Sequence, residues 1–181
     1  KVPGYPLISV YLTGKELKTV CEVDASITPM MEEAQLYMSG LNFTFNPRRL
    51  IFNKVTEASL AVDGGTSETI EDERLYRVVV GLYSAQMLSI VGDKSYGLLS
   101  IVPKTEDGTP IEDFETRIIH RQEDGQPTEI KEWQAIAAYL QSFPTQDGIP
   151  RVPAYYEAVH GRKVVQDSRS LPEILKKPNP I

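Results

Sequence analysis

The sequence predicts an α+β fold, and three kinds of stretch carry that expectation: an alternating strand at the start, a β-branched strand near the middle, and two segments with apolar residues at helical spacing. In Leu7 to Leu12, Ile8, Val10 and Leu12 share one face, the period of a half-buried strand. Leu75 to Tyr83 (LYRVVVGLY) is rich in β-branched residues and apolar enough for burial on both faces, which assigns it to a sheet centre. Thr13 followed by Glu16 forms a capping box, after which Leu17, Val20 and Cys21 recur on one side of a helix running to about Asp24. A second helix is expected from Glu129 to Gln141 with Thr128 as its cap, and Ile130, Trp133, Ile136, Ala137 and Leu140 form a stripe assigned to the core. The expected arrangement is a mixed sheet with each helix covering an outer face through its single apolar stripe.

The remaining elements follow in chain order. Leu36 to Phe45 reads as a strand interrupted at Ser39-Gly40, followed by a turn at Asn46-Pro47-Arg48-Arg49. Apolar runs at Leu50 to Val55 and Ser59 to Val62 lead into a hairpin turn at Asp63-Gly64-Gly65. Ser84 can cap a short helix through Met87, Leu88 and Val91, closed by Gly92-Asp93, and Leu98 to Val102 returns as a strand. Lys104 to Asp113 is a polar loop with a turn at Asp107-Gly108, Arg117 to Arg121 a short strand, and Glu123-Asp124-Gly125 a further turn. Prolines punctuate the end of the chain, leaving room for a strand at Lys163 to Val165 and one helical turn near Glu173. A domain over residues 1–165 and an extended tail over 166–181, wrapping the surface, are expected.

A chain of 181 residues is long enough for one domain with a real core. Its net charge of −6, with basic residues scattered among acidic ones, argues against a nucleic-acid polymer as partner, because such binding draws on a concentrated basic surface. No run approaches the roughly 20 apolar residues of a membrane span. The single cysteine, Cys21, allows no intrachain disulfide and sits at a buried helical position. The missing initiator methionine and the immediate entry into a strand suggest an excised fragment.

Catalytic constellations are not legible. Two histidines, His120 and His160, are too few for a dinuclear metal centre. There is no G-x-S-x-G elbow, no Cys-His pair and no phosphate loop. Glu32-Glu33 and Glu71-Asp72-Glu73 read as solvated charge runs, and Arg48 and Arg49 as solvated turn arginines.

Three blocks in order resemble the carboxy-terminal domain of 5'-nucleotidases, in the family that includes UDP-sugar hydrolases and 2',3'-cyclic phosphodiesterases, here of Gram-positive type. "SVYLTGKELKTVCEVD" resembles its strand-turn-helix "LTGxxLkxxLE" pattern, "LYMSGLNFTFNPRR" its "LQVSGLxxxYDPxR" strand and turn, and "ERLYRVVVGLYSAQML" its central strand. The resemblance implies a four-layer α/β/β/α fold and a substrate-binding role within a secreted or cell-wall bidomain hydrolase. The partner would be the protein's own amino-terminal metallophosphatase domain, holding a divalent metal (Mn, Zn or Mg) and the catalytic residues; no cofactor and no catalytic residue are expected in this chain, which alone should be inactive.

The family sandwiches a nucleotide base between two aromatic rings, and stacking suits a broad choice of bases because every base offers a π face. Aligned on Ser39-Gly40, Gln35 stands at the first ring position, with Tyr37 on the same strand face. The second loop reads Val91-Gly92-Asp93-Lys94-Ser95-Tyr96, which offers Tyr96 as a ring and Asp93 as an acceptor for a ribose hydroxyl or base edge. Tyr96 equally suits a half-buried strand start, and Asp93 a helix-ending turn. A noncatalytic cell-surface binding module that keeps the fold is the alternative.

Overall fold

The computed structural model describes residues 2–32, 35–62, 65–87 and 100–176. These form two compact units, one built from 1–11, 77–90 and 103–160, the other from 12–76, 91–102 and 161–181. Helices and strands are mixed within each, and one sheet contains both parallel and antiparallel pairs, so the α+β class read from the sequence is what the chain adopts.

In the first unit, β1 (Leu7–Thr13) pairs with β5 (Leu75–Gly81). Ile8 and Val10 of β1 are buried as the alternation requires, and they pack with Ala85, Val78, Val80, Leu82, Ile111, Phe114 and Ile118. The expected central position of β5 does not hold. Among the described residues its only ladder partner is β1, and Val79 is half exposed, so the strand is buried on one side only. Residues 82–87 are helical, which places Ser84 inside the helix instead of at its cap; the rest of that expected helix and residues 98–99 of the expected strand lie outside the described residues, while residues 100–102 belong to no strand.

The second hairpin of this unit, β6 (His120–Glu123) with β7 (Gln126–Glu129), turns at Asp124 and Gly125, both at positive φ. It takes Thr128 and Glu129 into a strand, so the helix they were expected to begin starts later, as α2 (Glu132–Gln141). The α2 entrance is tied down: Gln134 reaches back to the Lys131 N–H, the Glu132 N–H donates to Tyr5 O, and the Trp133 indole donates to Pro3 O at 2.9 Å. Its apolar stripe is not core. Trp133 is 51% exposed, Ile136 61% and Leu140 48%, and α2 buries none of its residues. A short ribbon, β8 (Thr145–Gln146) with β9 (Ile149–Pro150), follows.

The second unit is organised by α1 (Gly14–Ile27). The capping box is present, with the Glu16 backbone N–H on Thr13 Oγ1 and the Thr13 N–H on the Glu16 carboxylate at 2.7 Å. Gly14 answers a close approach: a Cβ there would sit 2.1 Å from the carbonyl oxygen of Glu71, because the 71–74 loop lies against the helix start and accepts from the Gly14 and Lys15 N–H groups. α1 packs on a sheet ordered β10 (Lys163–Val165), β2 (Leu41–Phe45), β3 (Val55–Val62), β4 (Thr66–Thr69). β10 is parallel to β2, and the other pairs are antiparallel. The β3-β4 hairpin and the β10 strand are where the sequence put them. β2 is shorter than expected: it starts only after Gly40, whose φ of +85° ends the irregular stretch before it. The Leu50 to Asn53 run is a turn, with Phe52 at φ +63°. A last helical turn, α3 (Leu171–Leu175), closes the described chain.

Candidate functional site

The second unit contains a set of buried carboxylates that the single-stripe reading of α1 did not anticipate. A helix apolar on one side only would leave its acids in water, yet Glu22 and Asp24 are fully buried and Glu16 nearly so. Burying a carboxyl group is tolerable only if its oxygens are satisfied, and each of these reaches backbone N–H groups of a different segment. Glu22 accepts from Ser26 Oγ (2.8 Å), Lys54 N (2.7 Å) and Val55 N (2.8 Å), while Ser26 Oγ accepts from Phe52 N (2.9 Å). The unusual turn at Phe52 and the start of β3 are thereby fixed to the helix.

Asp24 does the same for the stretch before β2. Its Oδ1 accepts from Leu36 N at 2.9 Å and from the Thr28 hydroxyl at 3.0 Å. Its Oδ2 lies 2.5 Å from Lys163 Nζ, a short ion pair that compensates the buried charge. Glu16 completes the series by accepting from Val102 N at 2.9 Å. Burial first, and then the neighbouring Asp24 and Glu22, push the Cys21 thiol from an ordinary 9.0 up to about 12, so Cys21 is the buried, unreactive thiol its spacing suggested.

Of the sequence-predicted site residues, Gln35 and Tyr37 flank Leu36, so the Asp24 bond lies between them. Both are exposed, and Tyr37 is 89% exposed, an unusual degree for a ring. Met38 O accepts from Arg162 Nη1 at 3.5 Å, a second tether on the same stretch. Asp93 and Tyr96 lie outside the described residues. Of the two turn arginines expected in solvent, Arg48 is exposed and Arg49 is not. Arg49 is buried, its Nη2 donating to Asn53 Oδ1 (2.8 Å) and Lys176 O (3.0 Å). Arg48 grips Asp167 with two nitrogens, at 2.5 and 3.1 Å, and this pairing holds the Asp167 carboxyl below the usual carboxylate range. With Asn46 Nδ2 on Ser168 O, these contacts fasten residues 167–176 to the Asn46–Asn53 turn.

No group of three or more His, Cys, Asp or Glu among the described residues is placed to hold a metal ion. His160 stacks on Tyr155 with centroids 3.7 Å apart, and His120 is an exposed residue of β6.

Residues 4–89 match the family model for the 5'-nucleotidase C-terminal domain. Over that segment, just under half of the chain, the sequence resembles the domain of that family. Among solved structures, the 5'-nucleotidase precursor of Thermus thermophilus superposes with a TM-score of 0.54 at 18% identity, over 91% of this chain and 26% of that one. The NAD nucleotidase of Haemophilus influenzae aligns with a TM-score of 0.39 at 19% identity, over 53% of this chain and 17% of that one. The first likeness supports the same fold, and this chain spans about a quarter of that 5'-nucleotidase's length. No curated protein matches the sequence. Among the described residues, no helix is long and apolar enough to cross a membrane.

Proposed function

We propose that this chain is a 5'-nucleotidase C-terminal domain, the substrate-binding part of a secreted or cell-wall bidomain metallophosphoesterase acting on nucleotide phosphate esters. The observation that carries the reading is Tyr37: its ring stands in water on a backbone tethered on both sides, in the block that matches the family. A ring already fixed by its main chain loses little freedom when a base stacks on it, which favours binding. Tyr96 and Asp93 are the further substrate contacts in this reading, and hydrolysis belongs to a metal-bearing amino-terminal domain outside this chain.

The test is an assay of the full-length gene product, supplied with manganese, on a panel of nucleotides. Hydrolysis by that protein, none by residues 1–181 alone, and a raised KM in Tyr37→Ala are the expected results. Failure on every nucleotide, or turnover with bound metal in the 181-residue chain, would reject it. One feature favours the second reading, a noncatalytic binding module: Gln35 takes the first ring position and is exposed there. Titration with adenosine and UMP separates the two, since a module of that kind gives no base-dependent NMR shift at Tyr37.

A further inference from the structure

We propose that Lys163, acting through buried Asp24, and its neighbour Arg162 are positioning residues that set where the Tyr37 ring stands. The inference rests on the reading that Tyr37 stacks on the base.

Residues 35–40 belong to no sheet ladder, so nothing in regular secondary structure fixes them. The Gln35 N–H donates to Glu32 O at 3.1 Å, and the tethers on either side of Tyr37 come from side chains. The Leu36 N–H is held by Asp24 Oδ1, and Met38 O by Arg162 Nη1. Leu36 is half-buried while Gln35 and Tyr37 are exposed, the alternation of a locally extended chain, so fixing the Leu36 main chain fixes the direction of Tyr37 beside it.

Asp24 can serve as that anchor only while its charge is compensated, since a fully buried carboxylate left alone is strongly unfavourable. Lys163 is its one ion-pair partner among the described residues, at 2.5 Å. The lysine is itself placed by β10: it sits in register with Phe43, and its ammonium lies 5.9 Å and 5.6 Å from the Phe43 and Phe45 ring centroids. The Arg162 carbonyl accepts from Phe43 N at 2.9 Å, which sets the start of the same strand. Two consecutive residues, far from Tyr37 in sequence, thus hold the main chain on either side of it, one directly and one through Asp24.

The experiment compares Lys163→Met, Lys163→Arg, Arg162→Ala and Tyr37→Ala in the full-length protein by nucleotide kinetics, and follows Leu36 amide exchange in the 181-residue chain by NMR. Lys163→Met is expected to raise KM about tenfold with kcat unchanged, the signature of lost uniform binding. It should also speed Leu36 exchange, and Lys163→Arg should restore both. Should Lys163→Met fail to fold, Arg162→Ala removes the exposed tether alone, with KM up roughly threefold by the same logic. A normal KM in Lys163→Met and Arg162→Ala, where Tyr37→Ala raises it, overturns the anchoring and leaves the stacking role standing. A normal KM in Tyr37→Ala overturns the stacking role and this proposal with it.

Discussion

α1 and α2 were read from the sequence by the same rule, a single apolar stripe facing a core, and the protein uses them in opposite ways. α1 buries its polar residues along with its apolar ones, so that Glu22 and Asp24 are as inaccessible as Cys21. α2 leaves Trp133, Ile136 and Leu140 about half exposed or more, its entrance tied to Pro3 and Tyr5 and Tyr139 near its end meeting Tyr156. Periodicity reports which side of a helix is apolar, and says nothing about how much of the helix is covered. That depends on how many irregular segments need a partner for their backbone N–H groups, and in the second unit those of Leu36, Lys54, Val55 and Val102 all find one on α1.

The sharpest way to break this comparison is Glu22→Ala. It strips the acceptors from Lys54 N and Val55 N and leaves Ser26 Oγ without its carboxylate, so about 4 kcal/mol of stability should be lost in urea unfolding. A loss below about 1 kcal/mol would mean water reaches these groups and the acid is not a structural centre.

Gly14→Ala comes next and has a sign that helix propensity gets wrong. On propensity alone, alanine should gain about 1 kcal/mol within a helix. The added Cβ would lie 2.1 Å from the carbonyl oxygen of Glu71, a main-chain atom that cannot swing aside, so the variant should instead lose roughly 2 kcal/mol, read as a lowered Tm. A raised Tm would show that the 71–74 loop is not seated on the helix start.

Cys21 tests burial of α1 through pH. The folded thiol holds its proton to about 12, against 9.0 ordinarily, so between those values the folded state binds more protons than the unfolded one. Stability contributed by the thiol is complete below pH 9.0, then falls through that window by up to about 1.4 kcal/mol per pH unit. Comparison with Cys21→Ala isolates it from other groups that titrate there: wild type should lose stability faster as pH rises, and parallel curves would mean the thiol is reached by water.

Much of the fold could be read because its signals are local. The Thr13-Glu16 box, the Ile8-Val10-Leu12 alternation, the β3-β4 hairpin and β10 each depend on neighbours in sequence, and each is where the pattern put it. What escaped depends on distant partners. Thr128 looks like a helix cap until it pairs with Arg121 in a hairpin, and Arg49 looks like a surface residue until Lys176 O reaches it. The candidate site was legible only as an alignment to a family block. One clue to its support lay in plain view: Leu17, Val20, Cys21, Val23 and Ala25 cover more than one side of α1, so the acids between them had nowhere to go but inside.

The smallest expected effect is also the one that separates the two helices most cleanly. If the α2 stripe were core, replacing Ile136 by a polar residue would remove a buried side chain and cost about 2–5 kcal/mol. At 61% exposure, Ile136 has little burial to lose, so Ile136→Gln should change stability by no more than about 0.5 kcal/mol. Glutamine is also slightly the better helix former, which pushes any residual change toward stabilisation. The measurement therefore has two well-separated outcomes. A shift within that narrow band means that the stripe is not core and that α2 is held by contacts elsewhere, among them Trp133 on Pro3, Glu132 on Tyr5 and Tyr139 on Tyr156, whereas a loss of about 2 kcal/mol or more would mean that the stripe is covered in solution and that α1 and α2 follow one rule after all.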